Sequence, residues 1–229
     1  FTQNGIFDLT GKTVTFDTDA SGNDPSTITC TGNLGGTVDL NKFDPSGTSN
    51  VTVASGCSID FGADPSSVIE TSLVNNGTIV IPSGSWTLSS VSSGTFTNNG
   101  TFTHNGNNWD FTDASFVNAA AGNVAFAGTI FIQRNFTNSG TFDMSAVTLT
   151  LDDNNDSADD SSLSCSSPLG DLVVNKTNSG ATAALANSCT VGGDLTRTNG
   201  IVNDPAAVRS LFVQGDVTTL TTAASGGAN

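Results

Sequence analysis

Tyrosine is absent from this chain, methionine and histidine occur once each, and tryptophan occurs twice. Bases are also scarce: six Lys and Arg stand against 21 Asp and Glu, for a formal net charge of −15. A surface this acidic offers no basic patch to neutralise a phosphate backbone, which argues against nucleic acid as a partner. No run of 18 apolar residues occurs, so no membrane-spanning helix is expected. Glu, Lys, Arg and Leu are few, which argues against a mostly helical fold. The four cysteines form no CxxC pair and His104 is the single histidine, so structural zinc is not expected. No glycine-rich phosphate loop is expected, because the glycines precede short strand patterns rather than helices.

Small polar residues fill the space these absences leave. Ser, Thr, Asn and Gly make up 110 of 229 residues. The 14 Phe, with Val, Ile and Leu, fall in short alternating runs, which indicates a folded all-β chain rather than a disordered one. A period runs through it. Asp-Pro-Ser begins at Asp24, Asp44 and Asp64, a spacing of 20. A Gly followed by a short strand recurs at Gly36, Gly56, Gly77, Gly100, Gly122 and Gly140, at intervals of 18 to 23. The series resumes at Gly180 and Gly200. Residues 75–88 align with 98–111, keeping two NNGT turns and Trp86 and Trp109 in phase at 23.

A period near 20 implies coils of two or three short strands that bury their apolar residues only by stacking. The expected fold is a parallel β-helix (β-solenoid) with coils of about 20–23 residues, one domain over 1–229. A β-sandwich of the pilin or jelly-roll type is the alternative, since short strands at regular spacing suit it too. Val38, Ile59, Ile79, Phe102 and Phe142 would form one core column, with Asp39, Asp60, Thr103 and Asp143 facing water. Asn75, Asn98 and Asn138 would form a side-chain ladder. The acidic, apolar-poor segment 152–168 reads as a loop insertion.

The chain opens at Phe1 without an initiator Met or a leader, which reads as a processed form or a piece of a longer chain. Cys30 and Cys57 lie 27 apart, and Cys165 and Cys189 lie 24 apart. Two local disulfides would suit an oxidising compartment; four buried free thiols are the other reading. Six N-x-S/T sequons, at Asn50, Asn76, Asn99, Asn135, Asn155 and Asn175, are glycosylation candidates in a secreted chain.

From Leu169 the chain reads LGDLVVNKTNSGATAALANSCTVGGDLTRTNGIV. The runs Leu172-Val173-Val174-Asn175-Lys176-Thr177 and Cys189-Thr190-Val191-Gly192-Gly193-Asp194-Leu195-Thr196 resemble repeats of large microbial surface β-solenoid proteins. Such repeats occur in adhesins, autotransporter passengers and extracellular fibres. The resemblance implies a solenoid at an extracellular or cell-surface location and implies no particular activity.

Few constellations could carry chemistry. Asp152, Asn154, Asp156 and Asp160 alternate, as oxygen ligands for calcium would. Ser157 stands where an EF-hand needs Gly and Leu163 where it needs Glu, so a solvated acidic loop is the competing reading; no other cofactor is expected. Asp39 and Asp60 on neighbouring rungs would be the carboxylate pair of a polysaccharide-acting β-helix enzyme. His104, in the turn-like THNGNN, reads as an ordinary surface residue. Trp86 and Trp109 would be either a core stack or a sugar platform.

Neither end shows a helical cap. The strand-like ends, with Phe1, Ile6, Phe7 and Leu9 at one and Leu211, Phe212, Val213, Val217 and Leu220 at the other, suit head-to-tail stacking or a donated strand. The expected function is a structural subunit of an extracellular filament or surface assembly, with copies of itself as the partner. An adhesin segment binding surface glycans is the alternative, and an enzyme the third reading.

Overall fold

The computed structural model describes residues 2–4, 7–15, 26–39, 50–60, 66–68, 72–81, 83–152, 160–205 and 208–219. The described residues form strands and turns with no helix, and every strand pairing is parallel, as in a β-solenoid. The sandwich alternative, which requires antiparallel sheets, is set aside.

Three faces run along the rod. The first carries Asn50–Val53, Ser72–Asn75, residues 94–98 and 114–118, Phe136–Asn138, Ser161–Cys165, Thr182–Leu185 and Ile201–Asn203, each bonded to the next. The second carries Phe7–Thr15, residues 32–39, Cys57–Asp60, Thr78–Ile81, Thr101–His104, Asn123–Phe126 and Thr141–Phe142. Beyond Phe142 it continues through Met144, Leu169, Val191 and Val213. The third carries residues 85–89 and 108–112, Gly128–Ile132, residues 148–152 and 171–175, Leu195–Asn199 and Val217–Thr219.

Register turns sequence period into core columns. On the second face Ile59 pairs with Ile79, Ile79 with Phe102, Phe102 with Val124 and Val124 with Phe142. Those five are buried. The expected column therefore holds from Ile59, with Val124 added. Its Val38 member is corrected: Leu34 pairs with Ile59, whereas Val38 pairs with Val14. For the same reason Asp39 pairs with Thr15 while Asp60 pairs with Val80, so these carboxylates do not stack on adjacent rungs.

On the third face a column runs Trp86, Trp109, Ile130, Leu149, Leu172, Leu195, Val217. Both tryptophans are buried, which decides for the core stack over the sugar platform. Trp109 packs 4.5 Å from Phe102 and 4.7 Å from Phe126 between ring centroids. Phe96, Phe111 and Phe116 close the same aromatic block. Each such ring buries on the order of 150–250 Å². This is how a coil with few apolar residues still builds a core.

Where the chain turns from the first face to the second, amides replace hydrocarbons. Asn75 donates to Asn98 (2.8 Å), Asn98 to Asn118 (2.9 Å) and Asn118 to Asn138 (2.9 Å). Asn75, Asn98 and Asn118 also donate to backbone carbonyls of Thr101, Asn123 and Thr141. All four side chains are buried, and the hydrogen bonds offset their desolvation. The ladder was expected at three of these positions; Asn118 is the added rung. Asn138 then donates to Ser167 Oγ, and Cys165 takes the next place in register with Asn138.

The same corner demands glycine for space. A Cβ on Gly77 would lie 2.3 Å from the Cys57 carbonyl oxygen, and one on Gly100 would lie 2.1 Å from that of Gly77. A register shift between Thr112 and Ala114 bends residues 108–118 from the third face to the first. Asp113 sits there at φ 54°, a left-handed conformation that Asp tolerates. Its N–H donates to Gln133 Oε1, and its carboxylate pairs with Arg134.

Candidate functional site

Among the described residues, the third-face column ends uncovered at Val217. Leu149 and Leu172 are buried, Leu195 is partly buried, and Val217, next in register, is 62% exposed. On the second face Cys189 and Val191 are buried, while Leu211 and Val213 above them are only partly so. Among the described residues, Ile201–Asn203, Leu211–Val213 and Val217–Thr219 pair on one side only. The coil that ends at Thr219 thus keeps an inward apolar pattern. Phe212 differs: it pairs with the outward Thr190 and is exposed on the side of the rod, not at its end. At the other end Thr2–Asn4 and Phe7–Thr15 pair only with Ser26–Asp39 among the described residues. Phe1, Ile6 and Leu220 lie outside the described residues, as do the side chains of Phe7 and Leu9.

A second ladder rises toward that end. Asp171 Oδ1 accepts the N–H of Asp194 (2.9 Å), and Asp194 Oδ1 accepts the N–H of Asp216 (2.8 Å). Gly193 and Gly215 leave room for these carboxylates, since a Cβ there would lie 2.1 Å and 2.3 Å from them. Asp216 is the last rung. The sequence signal was the triplet Gly170-Asp171-Leu172, Gly193-Asp194-Leu195, Gly215-Asp216-Val217, at spacings of 23 and 22.

Two clefts open on the second face. One, of about 340 Å³, is floored by Phe142, Met144 and Leu169 and rimmed by Asp143, Ser145 and Gly193. The Ser145 N–H holds the Asp143 carboxyl below its ordinary range. The other, of about 270 Å³, lies beside His104 and Phe126. His104 corrects the surface reading: it is 2% exposed. The alternation of Thr101–His104 turns both Phe102 and His104 inward. Its ring stacks on Phe126 at 5.1 Å and neither ring nitrogen has a hydrogen-bond partner of good geometry. Burial lowers its pKa to about 4, although the Gly84 backbone favours the protonated form.

Of the calcium set, only Asp152 and Asp160 lie among the described residues. Asn154 and Asp156 lie outside the described residues. Asp152 ends a strand, its carboxylate accepting from Asn175 Nδ2 (3.3 Å) and its carbonyl from the buried Lys176 Nζ (2.7 Å). Asp160 is exposed and spends Oδ1 on the N–H and hydroxyl of Thr182, which hold its carboxyl below the usual range. No group of three His, Cys, Asp or Glu suited to a metal occurs among the described residues. Within 152–168, Ser161–Cys165 is a strand of the solenoid wall, and 153–159 lies outside the described residues. Asp110 is half-buried on the third face; burial raises its pKa, Thr112 opposes the rise, and Asp152 adds to it.

Cys165 and Cys189 form a disulfide across the corner with Cα atoms 5.5 Å apart. Asn187 bonds both the N–H and the carbonyl of Cys165 beneath it. Cys57 is also disulfide-bonded, while the side chain of Cys30 lies outside the described residues. Of the sequons, Asn76 and Asn135 are exposed and Asn99 is partly so. Asn99 Nδ2 donates to Asn76 Oδ1 (2.9 Å). Asn175 is partly buried; Asn155 and the side chain of Asn50 lie outside the described residues.

Comparison of the chain with protein-family models, with curated proteins and with solved structures finds no match.

Proposed function

We propose that this chain is a structural subunit of an extracellular filament or surface assembly that grows by stacking solenoid coils end to end. The single observation that carries the reading is the exposed Val217 at the top of a column buried up to Leu172 and half-buried at Leu195, with the strand edge beside it unpaired among the described residues. A coil that presents apolar residues and free backbone donors and acceptors along one edge is a template for another coil. Supplied by a second copy, that contact joins unlike ends, does not close, and yields fibres. The resemblance to surface β-solenoid repeats and a disulfide formed in the fold support an oxidising, extracellular setting.

Electron microscopy of the purified chain, kept oxidised and concentrated, tests this. Filaments one rod wide, with the ~4.8 Å axial spacing of stacked parallel strands in fibre diffraction, are the expected result. Monodisperse short rods at all concentrations refute end stacking. The half-open cleft of Phe142, Met144 and Leu169 would then favour the second reading, an adhesin segment that binds surface glycans, tested on a glycan array.

A further inference from the structure

The first face differs from the rest of a chain with a net charge of −15: its outward residues carry no charge over most of its length. Its register defines two outward columns. One runs Ser72, Thr95, Ser115 (itself buried), Asn135, Ser162, Ala184, and the other Val74, Thr97, Val117, Thr137, Ser164. All eleven are small or β-branched, and none is ionisable. The second face, by contrast, displays Asp143 and the third Asp110 and Asp171. Charges touch the first face only at its margin. There Asp113 is paired with Arg134, and Asp160 is bound to Thr182.

The face is also fixed in shape. Ser72 Oγ accepts the N–H of Thr95 (3.0 Å), Ser115 Oγ that of Asn135 (3.3 Å), and Asn135 Oδ1 both the N–H and the hydroxyl of Ser162 (2.9 Å each). Side chains already held by such bonds, or stiff at χ1, lose little freedom on contact.

We infer that this face is a lateral docking surface for the same face of a second copy, so that rods assembled end to end also pair side by side. Charge chooses the partner. Two copies of a strongly acidic chain repel wherever carboxylates face each other, and this is the long surface where they do not. Period chooses it too: both faces repeat at the ~4.8 Å of the strand ladder, so a fit made at one rung recurs at every rung. Over these rungs the face covers on the order of 300 Å² per copy, from strand spacing and length. That is well short of a stable interface between two single rods, which needs about 1,000 Å² in total. In a filament the face is continuous and the contacts sum, so lateral pairing follows polymerisation rather than preceding it. The inference rests in this respect on the end-stacking reading.

The test compares the wild-type chain with a Thr97→Lys/Ser164→Lys variant, which leaves the Asn135 sequon intact, by electron microscopy of unglycosylated protein at matched concentration. Wild-type filaments are expected in pairs and bundles, and variant filaments single with the same axial spacing. Each Lys makes the chain less negative, so charge repulsion alone would predict more bundling in the variant, not less. Bundles that persist in the variant, or wild-type filaments that stay single, overturn the inference. If no filaments form at all, end stacking fails by itself. The face is then read on single rods carrying Thr97→Cys, oxidised at millimolar concentration, where the covalent bond traps even the weak contact that two short faces make: a dimer cross-linked by a disulfide between the two substituted positions supports it, and its absence overturns it. Single wild-type filaments that bind an uncharged insoluble polysaccharide, with binding lost in the variant, would also overturn it and assign the face to a glycan.

Discussion

At the residue scale, the buried amides and the buried imidazole make opposite demands on solvent. Asn98 spends its amide on Asn118 and Asn123 and its oxygen on Asn75, so it fits only while both neighbours remain. Asn98→Ala strands a donor below and an acceptor above, and should cost about 2–4 kcal/mol in chemical denaturation. His104 has no such network, and its neutral form is the one that fits. Its folded pKa of about 4 lies below its ordinary 6.5, so the unfolded chain binds the extra proton first as pH falls. Stability is therefore complete above about pH 6.5 and declines between there and about pH 4. The melting temperature should drop by a few degrees over that window beyond the trend of the carboxylates, and His104→Phe should remove the extra drop. Three Asn rungs were legible because they precede Asn-Gly or Ser-Gly in a repeated turn. Asn118 was not, since Ala119 and Ala120 follow it. The turn-like Asn105-Gly106 beside His104 masks the inward period of its own strand.

At the element scale, strand period and turn glycines were the most legible features, and register the least. Periodicity gives which residues point inward, but a column needs the partner on the next coil, and that depends on the length of every intervening turn. The long strand Ser26–Asp39 spans a corner without a break, which is why Leu34 rather than Val38 meets Ile59. Glycines at the corners divide by what they touch. Gly100→Ala would press a methyl into the Gly77 carbonyl and should lower the denaturation midpoint severely or abolish folding. At Gly180 the nearest atom to a new Cβ is 3.5 Å away, so Gly180→Ala should change stability by no more than about 0.5 kcal/mol. Removing Trp109, wedged between Phe102 and Phe126, should cost about 3–5 kcal/mol as Trp109→Ala.

At the scale of the whole molecule, composition announced the architecture but placed the candidate site only in outline. The strand-like pattern of both ends was legible. The outward aim of Phe212 and the Asp171–Asp194–Asp216 ladder became visible only once coils were in register. If end stacking drives assembly, Val217→Asp should raise the concentration at which filaments appear by about tenfold or more in light scattering, equivalent to ~1.4 kcal/mol per contact. Phe212→Ser should leave that concentration unchanged. The Cys165–Cys189 bridge closes a segment of 24 residues, and its loss in a Cys165→Ala/Cys189→Ala variant should cost about 3 kcal/mol, measured as a shift in urea midpoint.

That bridge also sets where damage stops. A stack of coils held by nearest neighbours frays from its ends, one coil at a time. The exposed last coil would peel first, and each loosened turn would offer itself to a protease. Peeling that reaches Cys189 meets a covalent staple to the coil beneath, seated under Asn187 and beside the last rung of the amide ladder. Wear at this end is thus confined to the segment beyond the staple, and a cut rod retains an intact, stapled face.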